Sequence, residues 1–304
     1  MSESAAPFAR PSALQAWWLA ARPRTLPLAA APVAVGSAVA FGAGGGRAGP
    51  AVAALAGALL LQIGANFAND VYDAEKGADT ASRIGPPRAT QLGWLSAVAV
   101  KRGMWLSFAL AAIVGVYLIA AAGWVVLWVG LASIAAAIAY TGGPWPFGYH
   151  GLGDLMVFLF FGVVAVCGTT YVQTHAFELH ALAASLPVGA LATAVLVVNN
   201  LRDREGDARA GKRTLAVRFG ARATQLEYRA LVFGAYAALV LCVSLRGSLW
   251  LALPALTLPE SIRLVRGLAS AAEGPEFNAL LAATARLGLV FSLLLAAGWL
   301  GAGT

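Results

Sequence analysis

The chain has 304 residues, of which 60% are hydrophobic and only 12% are charged. About one quarter of the residues in soluble domains are charged, so this composition excludes a water-soluble domain and predicts a protein embedded in lipid. The net charge of +7 does not indicate nucleic-acid binding, because the basic residues are spread over short loops without interleaved aromatic residues. That distribution is typical of topology signals and of contacts with anionic membrane lipids.

Apolar segments occupy most of the chain. Residues 12–21 carry Trp17 and Trp18 close to Arg22 and Arg24, which predicts an interfacial helix with its aromatic rings at the level of the lipid headgroups. A membrane span needs about 20 mainly apolar residues. We therefore expect an all-α polytopic membrane protein with nine transmembrane helices in a single domain, residues 1–304, of which residues 1–22 form a tail and the interfacial helix. The predicted spans are residues 26–41, 50–67, 104–121, 124–140, 155–172, 181–198, 230–245, 249–264 and 277–300.

The distribution of Lys and Arg predicts the orientation of these spans. Basic residues precede the first span and crowd two long hydrophilic connections, residues 69–103 and 201–229, whereas the alternate connections carry only Arg47 and Arg246. Cytoplasmic connections are the positively charged ones. We therefore expect a multi-pass protein of the inner (plasma) membrane with a cytoplasmic N-terminus and an external C-terminus.

Two acidic stripes follow the second and the sixth predicted spans. The first acidic stripe comprises Asn66, Asp70 and Asp73, and the second acidic stripe comprises Asn199, Asp203 and Asp207. The spacings within each stripe put its three residues on one side of a helix. Because both stripes follow even-numbered spans, they are expected at the same membrane face, where they could lie opposite each other across a helix bundle.

Carboxylates grouped near hydrocarbon repel one another unless a cation neutralises them. Mg²⁺ suits this arrangement, because it is typically held by one or two carboxylates together with phosphate oxygens of a substrate. A single acidic helix end would more simply be a solvated junction, but the duplication favours a diphosphate held between two magnesium sites. Basic residues nearby could neutralise phosphate, or could be ordinary positive charge of cytoplasmic loops. They are Arg83, Arg88, Arg202, Lys212 and Arg213.

Several segments of this sequence resemble the UbiA superfamily of intramembrane prenyltransferases, and within it the branch called MenA. They are NFANDVYDAEKGAD, RIGPPRA, YTGGPWPFGYHGLGDLMVFLFFG, GTTYVQ and NNLRDREGDARAGKRTLAVRFG, and the similarity runs from about residue 17 to residue 222. The resemblance implies nine helices around a central cavity, with both aspartate motifs at its cytoplasmic mouth. It implies Mg²⁺ as cofactor, and a polyprenyl diphosphate and an aromatic acceptor as substrates, within the membrane lipid.

The resemblance also implies roles for individual residues. The four stripe aspartates become the metal-binding and catalytic groups, and the two stripe asparagines and three basic residues become contacts of the diphosphate; these last three are Arg83, Lys212 and Arg213. Gly77 stands where the superfamily pattern has a further aspartate, which leaves open whether Asp79 binds the metal directly or supports a ligand. Tyr140 and Tyr149 are candidates for contacting the acceptor, although tyrosines of an interfacial aromatic belt would occur at similar positions.

The function implied by the resemblance is transfer of a polyprenyl group to 1,4-dihydroxy-2-naphthoate with loss of carbon dioxide, which gives demethylmenaquinone in menaquinone biosynthesis. The alternative within this class is a related enzyme that prenylates homogentisate or 4-hydroxybenzoate. From a different class, a transporter could also have nine spans. A transporter is expected to carry polar or broken helices at the bilayer midplane, whereas the acids of this chain cluster at one face.

The predicted orientation can be tested with single cysteines and a thiol reagent that does not cross membranes. Glu75→Cys and Glu205→Cys should react only after the cells are permeabilised, because the positively charged connections remain in the cytoplasm. Ala43→Cys, in a connection at the opposite face, is the control and should react in intact cells. Labelling of both test positions from outside would contradict the orientation.

Overall fold

A computed structural model describes residues 11–77, 85–272 and 274–303, and within these ranges the regular structure is helical, with no strand. Helix α1 begins after a capping box, in which the Ser12 side chain accepts from the backbone of Gln15 and the Gln15 side chain accepts from the backbone of Ser12. It ends at Arg22, whose φ of 51° turns the chain into the first long helix. The predicted interfacial helix is therefore a separate short element.

The helices are numbered along the chain. In the first half they are α1 Ala13–Ala21, α2 Leu26–Gly42, α3 Ala48–Glu75, α4 Ala97–Ala122 and α5 Val125–Ala139. In the second half, α6 Gly153–Val157 continues through a π-helical segment, Phe158–Val164, into α7 Ala165–Thr174. Then follow α8 Leu179–Arg209, α9 Leu215–Arg246, a 3₁₀ segment Leu249–Thr257, α10 Leu258–Ser270 and α11 Gly274–Ala302.

Within the described ranges, seven helical segments are long and apolar enough to cross a membrane, and they coincide with seven of the nine predicted spans. The chain is therefore a multi-pass membrane protein. The other two predicted spans are the shorter helix α5 and the 3₁₀ segment with α10, so the count of nine stays a prediction.

Of the two connections predicted to be long hydrophilic loops, residues 201–229 are largely helical and residues 69–103 are helical at both ends, which corrects the expectation there. Helix α3 continues to Glu75, α8 continues to Arg209, and α9 begins at Leu215, so only a short turn separates α8 from α9. The loss of hydrophobicity marks where the chain leaves lipid, whereas Glu, Lys and Arg still favour the helix. Both acidic stripes consequently lie on regular helices that continue out of the membrane core.

The bundle is organised around α8, which is buried along most of its length and packs against α2, α9, α11 and the π-helical segment. Its core includes large buried side chains such as Leu191 on α8, Tyr228 on α9 and Phe291 on α11. On the other side of the bundle α3 packs along α4. The space between these two groups of helices is the central cavity.

Glycines allow close backbone contact within this bundle. A Cβ atom on Gly162, in the π-helical segment, would lie 2.7 Å from the Cα of Gly189 on α8. A Cβ on Gly36 of α2 would lie 2.5 Å from the carbonyl oxygen of Val166 on α7. Small residues at helix contacts are the usual means of tight packing in lipid, where no hydrophobic force drives helices together.

Candidate active site

The central cavity has a volume of about 1090 Å³ and mainly apolar walls. Its charged residues concentrate at one end, called here the acidic end, where α3 and α8 leave the membrane core. Seven of the residues predicted for the site line the cavity there: Asp73, Tyr140, Tyr149, Asn199, Asp203, Asp207 and Lys212. The fold thus brings the α3 and α8 motifs to one place.

Asp73, at the end of the first acidic stripe, is 2% exposed and lies in a network of donors. Its Oδ2 pairs with Arg88 Nη2 at 3.0 Å. Its Oδ1 accepts from the Tyr149 hydroxyl at 2.7 Å and lies 3.2 Å from Lys212 Nζ. A buried carboxylate needs such partners, because burial without them would cost several kcal/mol.

Asn66 and Asp70 have different surroundings from Asp73. Asp70 accepts from the backbone N–H groups of Ala89 and Thr90, at 3.1 and 3.0 Å. Asn66 donates through Nδ2 to the Ala21 carbonyl at 2.8 Å and to Thr25 at 3.0 Å. Neither residue lines the cavity. In this arrangement Asp70 fixes the segment that carries Arg88, and Asn66 fixes the junction after α1.

All three residues of the second acidic stripe line the cavity. The Arg202 guanidinium binds both carboxylate oxygens of Asp203, at 2.8 and 2.7 Å, and also donates to Asn199 Oδ1 at 2.8 Å. Its remaining Nη1 donates to Asn278 on α11 at 2.9 Å. A bidentate pair of this kind fixes the orientation of the carboxylate, so Asp203 is held toward the cavity.

Lys212 connects the two stripes. The turn after α8 brings its ammonium nitrogen to 3.2 Å from Asp73 and 3.7 Å from Asp207. The same nitrogen lies 4.7 Å from the centre of the Tyr149 ring, and Lys76 Nζ lies 4.9 Å from it, so the ring contacts two cations. Lys76 also donates to the Thr141 carbonyl at 2.7 Å, and its partial burial lowers the pKa of its ammonium group.

The remaining residues predicted for the site do not take part in the contacts around Asp73 and Lys212. The Arg213 side chain is exposed and does not line the cavity, although its backbone N–H donates to the Tyr149 carbonyl at 2.8 Å. Asp79 and Arg83 lie outside the described residues.

Asn69 and Arg88 are among the polar residues of the cavity wall that the predicted site omits. Asn69 lines the cavity and accepts from Thr141 Oγ1 at 3.0 Å. It precedes Asp73 by four residues, so helical spacing alone could have identified it. Arg88 was considered only as a neutralising charge, yet it is buried against Asp73. No sequence signal links these two residues, because Arg88 arrives from the connection between α3 and α4.

Tyr140 lies beside the acidic cluster, on the apolar side of the cavity wall. Its ring packs edge-on against Phe147, with 5.5 Å between the ring centres. Its backbone carbonyl accepts from the Gly148 N–H at 3.0 Å, which closes the turn between the two aromatic residues. A flat aromatic ligand next to the acidic end would therefore meet aromatic side chains.

The carboxylate oxygens at the acidic end are suitable ligands for a hard divalent cation. In the described ranges no three His, Cys, Asp or Glu side chains lie close enough to hold a metal by themselves. Mg²⁺ does not require such a cage, because it commonly takes one or two carboxylates plus phosphate oxygens. The carboxylates of Asp73, Asp203 and Asp207 line the cavity, and each is already in contact with a cation of the chain. A diphosphate would add negative charge that these engaged cations do not offset, and a divalent ion would supply the missing charge.

Comparison with known proteins identifies relatives of this chain. Residues 29–277 match the model of the UbiA prenyltransferase family. A Mycobacterium tuberculosis protein named 1,4-dihydroxy-2-naphthoate octaprenyltransferase is 40% identical over 281 residues, which covers 92% of this chain and 95% of that protein. A Haemophilus influenzae protein of the same name is 46% identical over 216 residues, which covers 68% of this chain and 70% of that protein.

The fold is also similar to a solved structure of a UbiA homologue from Archaeoglobus fulgidus, which contains DMAPP and Mg²⁺. The TM-score is 0.64 at 15% identity, and the match covers 90% of this chain and 98% of the other.

Lys212 and its neighbour Arg213 provide a matched test of the site. Lys212→Met removes the cation between the two stripes and should weaken binding of inorganic diphosphate about tenfold or more, since hydrogen bonds to charged groups contribute about 1.5–3 kcal/mol. Arg213→Met, on the exposed surface, should change the affinity by less than about twofold. Calorimetric titration of the purified variants at saturating magnesium measures both. Equal losses, or no loss for Lys212→Met, would contradict the geometry described.

Proposed function

This chain belongs to the UbiA prenyltransferase family, and on that basis we propose that it transfers a polyprenyl group from an allylic polyprenyl diphosphate to 1,4-dihydroxy-2-naphthoate. The immediate product is the hydroquinone form of demethylmenaquinone, an intermediate of menaquinone biosynthesis. The relatives named 1,4-dihydroxy-2-naphthoate octaprenyltransferase support this acceptor and a long polyprenyl donor.

One observation in the structure carries the proposal. Acidic residues on α3 and α8, linked through Lys212, lie at one end of a cavity whose other walls are mainly apolar. A polyprenyl diphosphate has the same polarity, with a strongly anionic head and a long hydrocarbon tail. The head fits the acidic end, and the tail fits the apolar part between α3, α4 and α7.

The residues of the acidic end have separate tasks in this proposal. The carboxylates of Asp73, Asp203 and Asp207 would hold Mg²⁺, and the bound ion would offset the negative charge of the diphosphate. Lys212 donates to the leaving diphosphate from between the stripes. Arg202 fixes the orientation of Asp203 through its bidentate contact, and the Tyr149 hydroxyl does the same for Asp73.

The reaction balances within the two substrates. The allylic carbon–oxygen bond breaks with its electrons moving to the diphosphate, and the resulting carbocation is attacked by the ring carbon that bears the carboxylate. The bond from that carbon to the carboxylate then breaks, carbon dioxide leaves, and the ring becomes aromatic again. Apolar side chains such as Ile134, Phe160 and Phe161 line the cavity and exclude water, which would otherwise capture the cation.

We place this reaction at the cytoplasmic face of the inner membrane. The basic residues near both acidic stripes support this orientation, since positively charged connections remain inside. In that orientation the soluble aromatic acceptor arrives from the cytoplasm, while the polyprenyl diphosphate arrives within the lipid.

Removal of divalent cations provides a direct test. Purified protein with octaprenyl diphosphate and 1,4-dihydroxy-2-naphthoate should form product with magnesium and none in excess chelator, because the chain's own cations are already in contact with carboxylates. Added magnesium should restore turnover, as measured by mass spectrometry of the extracted quinone. Full activity in excess chelator would exclude a reaction that depends on a divalent cation.

Charge-deleting substitutions separate the two stripes. Asp203→Asn should lower kcat about 100-fold or more, on the order of 3 kcal/mol, since it removes a principal electrostatic group while keeping size and hydrogen-bonding capacity. Asp70→Asn should lower activity and also the unfolding temperature, because the two backbone N–H groups donate to different oxygens of Asp70, and asparagine replaces one of these oxygens with an NH2 donor.

Glu205→Gln is the matched control for Asp203→Asn, since it deletes a charge two residues away on an exposed part of α8. It should retain near-normal turnover. Similar rates for Asp203→Asn and Glu205→Gln would leave the second stripe without a role in catalysis.

A further inference from the structure

The cavity is long as well as wide, and it crosses most of the bundle. Along α3 its wall runs from Asp73 to Ala54, a separation of 19 residues, which at the α-helical rise corresponds to about 28 Å. The hydrocarbon core of a bilayer is about 30 Å thick. At the end opposite the acidic end, the wall includes Phe177, Leu179 and Leu182 from the connection after α7 and the start of α8.

Besides Gly130 on α5 and Gly148 near the acidic end, three glycines line this cavity at one depth, each on a different helix: Gly57 on α3, Gly115 on α4 and Gly168 on α7. Their common depth follows from a hydrophobic cluster one turn further from the acidic end, which joins residues 53–54, 114–118 and 171–172. Along α3, Gly57 is 16 residues from Asp73, or about 24 Å. We call these three residues the glycine collar.

The collar glycines differ from the glycines that let helices pack closely. A Cβ on Gly115 or Gly168 would meet no heavy atom within 4 Å, and one on Gly57 would meet only Val114, at 3.8 Å. Close helix contact explains the glycines Gly162 and Gly36. It therefore does not explain the glycines of the collar. Glycine costs about 1 kcal/mol relative to alanine inside a helix. The collar glycines differ from another open glycine, Gly234 on α9, in that they line the cavity.

We propose that the glycine collar is the determinant of donor chain length: it leaves the cavity open for the distal isoprene units of a long polyprenyl chain. This inference rests on the proposed function, because it takes the diphosphate to lie at the acidic end. A short donor ends before the collar, whereas a long donor passes through it and contacts Phe177 and Leu179 beyond. A bulky side chain at the collar blocks only the long donor.

The test compares two donors on purified full-length protein, with octaprenyl diphosphate as the long chain and geranyl diphosphate as the short one. Gly168→Phe should lower the ratio of kcat/KM for octaprenyl over geranyl diphosphate by about tenfold or more, since steric changes in apolar pockets alter discrimination by about that factor. Gly168→Ala should give a smaller change in the same direction.

The control is Gly234→Phe on α9. Gly234 is exposed, does not line the cavity, and also has no heavy atom within 4 Å of a Cβ. It should keep the wild-type ratio. If Gly168→Phe does not give folded protein by size-exclusion chromatography, Gly115→Phe on the opposite wall carries the test with the same expected ratio.

The outcomes separate this inference from the proposed function. An unchanged ratio in folded Gly168→Phe or Gly115→Phe would overturn the inference, since the tail would then leave the cavity sideways before it reaches the collar. A wild-type protein that transfers neither donor would instead refute the proposed function.

Discussion

The site depends on how the chain balances carboxylate charge where helices leave the lipid. Lys212 lies between Asp73 on α3 and Asp207 on α8, and so joins two helices that are far apart in sequence. Arg88 and Arg202 balance the neighbouring carboxylates in the same way. Without these cations the acids would repel one another in a poorly solvated place, and the acidic end of the cavity would not hold together. Binding of a diphosphate and a divalent ion would rearrange these same ion pairs.

The position of the cavity follows from the packing of α8. Helix α8 is buried along most of its length, and all residues of its acidic stripe line the cavity. The short turn before α9 then brings Lys212 back over that space. Close contact between the backbones at Gly162 and Gly189 fixes the position of one wall of the cavity. The open glycines of the collar, in contrast, leave the interior of the cavity unobstructed. The same residue type thus serves tight packing at one place and open volume at another.

Much of this architecture was predictable from the sequence, but the orientation of individual side chains was not. Apolar segments gave the order of the spans, and the spacing of the second acidic stripe put all its residues on the cavity wall. The first stripe had the same kind of spacing, yet Asn66 and Asp70 bind backbone groups beside the cavity. The helical period shows which residues share one face of a helix. It does not show whether that face contacts another helix or the cavity.

Other features depended on contacts that no local pattern records. Arg88 reaches Asp73 from a connection, so its role follows from the tertiary fold alone. The 3₁₀ segment before α10 is as apolar as its neighbours, and hydrophobicity does not distinguish it from an α-helical span. The loss of apolar residues predicts that α3 and α8 end where the lipid ends, whereas both helices continue beyond that point.

The site at the acidic end is tested most directly by an experimental structure of the protein with magnesium and geranyl thiodiphosphate, a donor analogue that reacts slowly. We expect density for the diphosphate between α3 and α8, in contact with Lys212 and with a cation held by carboxylates of both helices. Density for the diphosphate at the opposite end of the cavity, or at the acidic end with no cation on Asp73, Asp203 or Asp207, would contradict the proposed site.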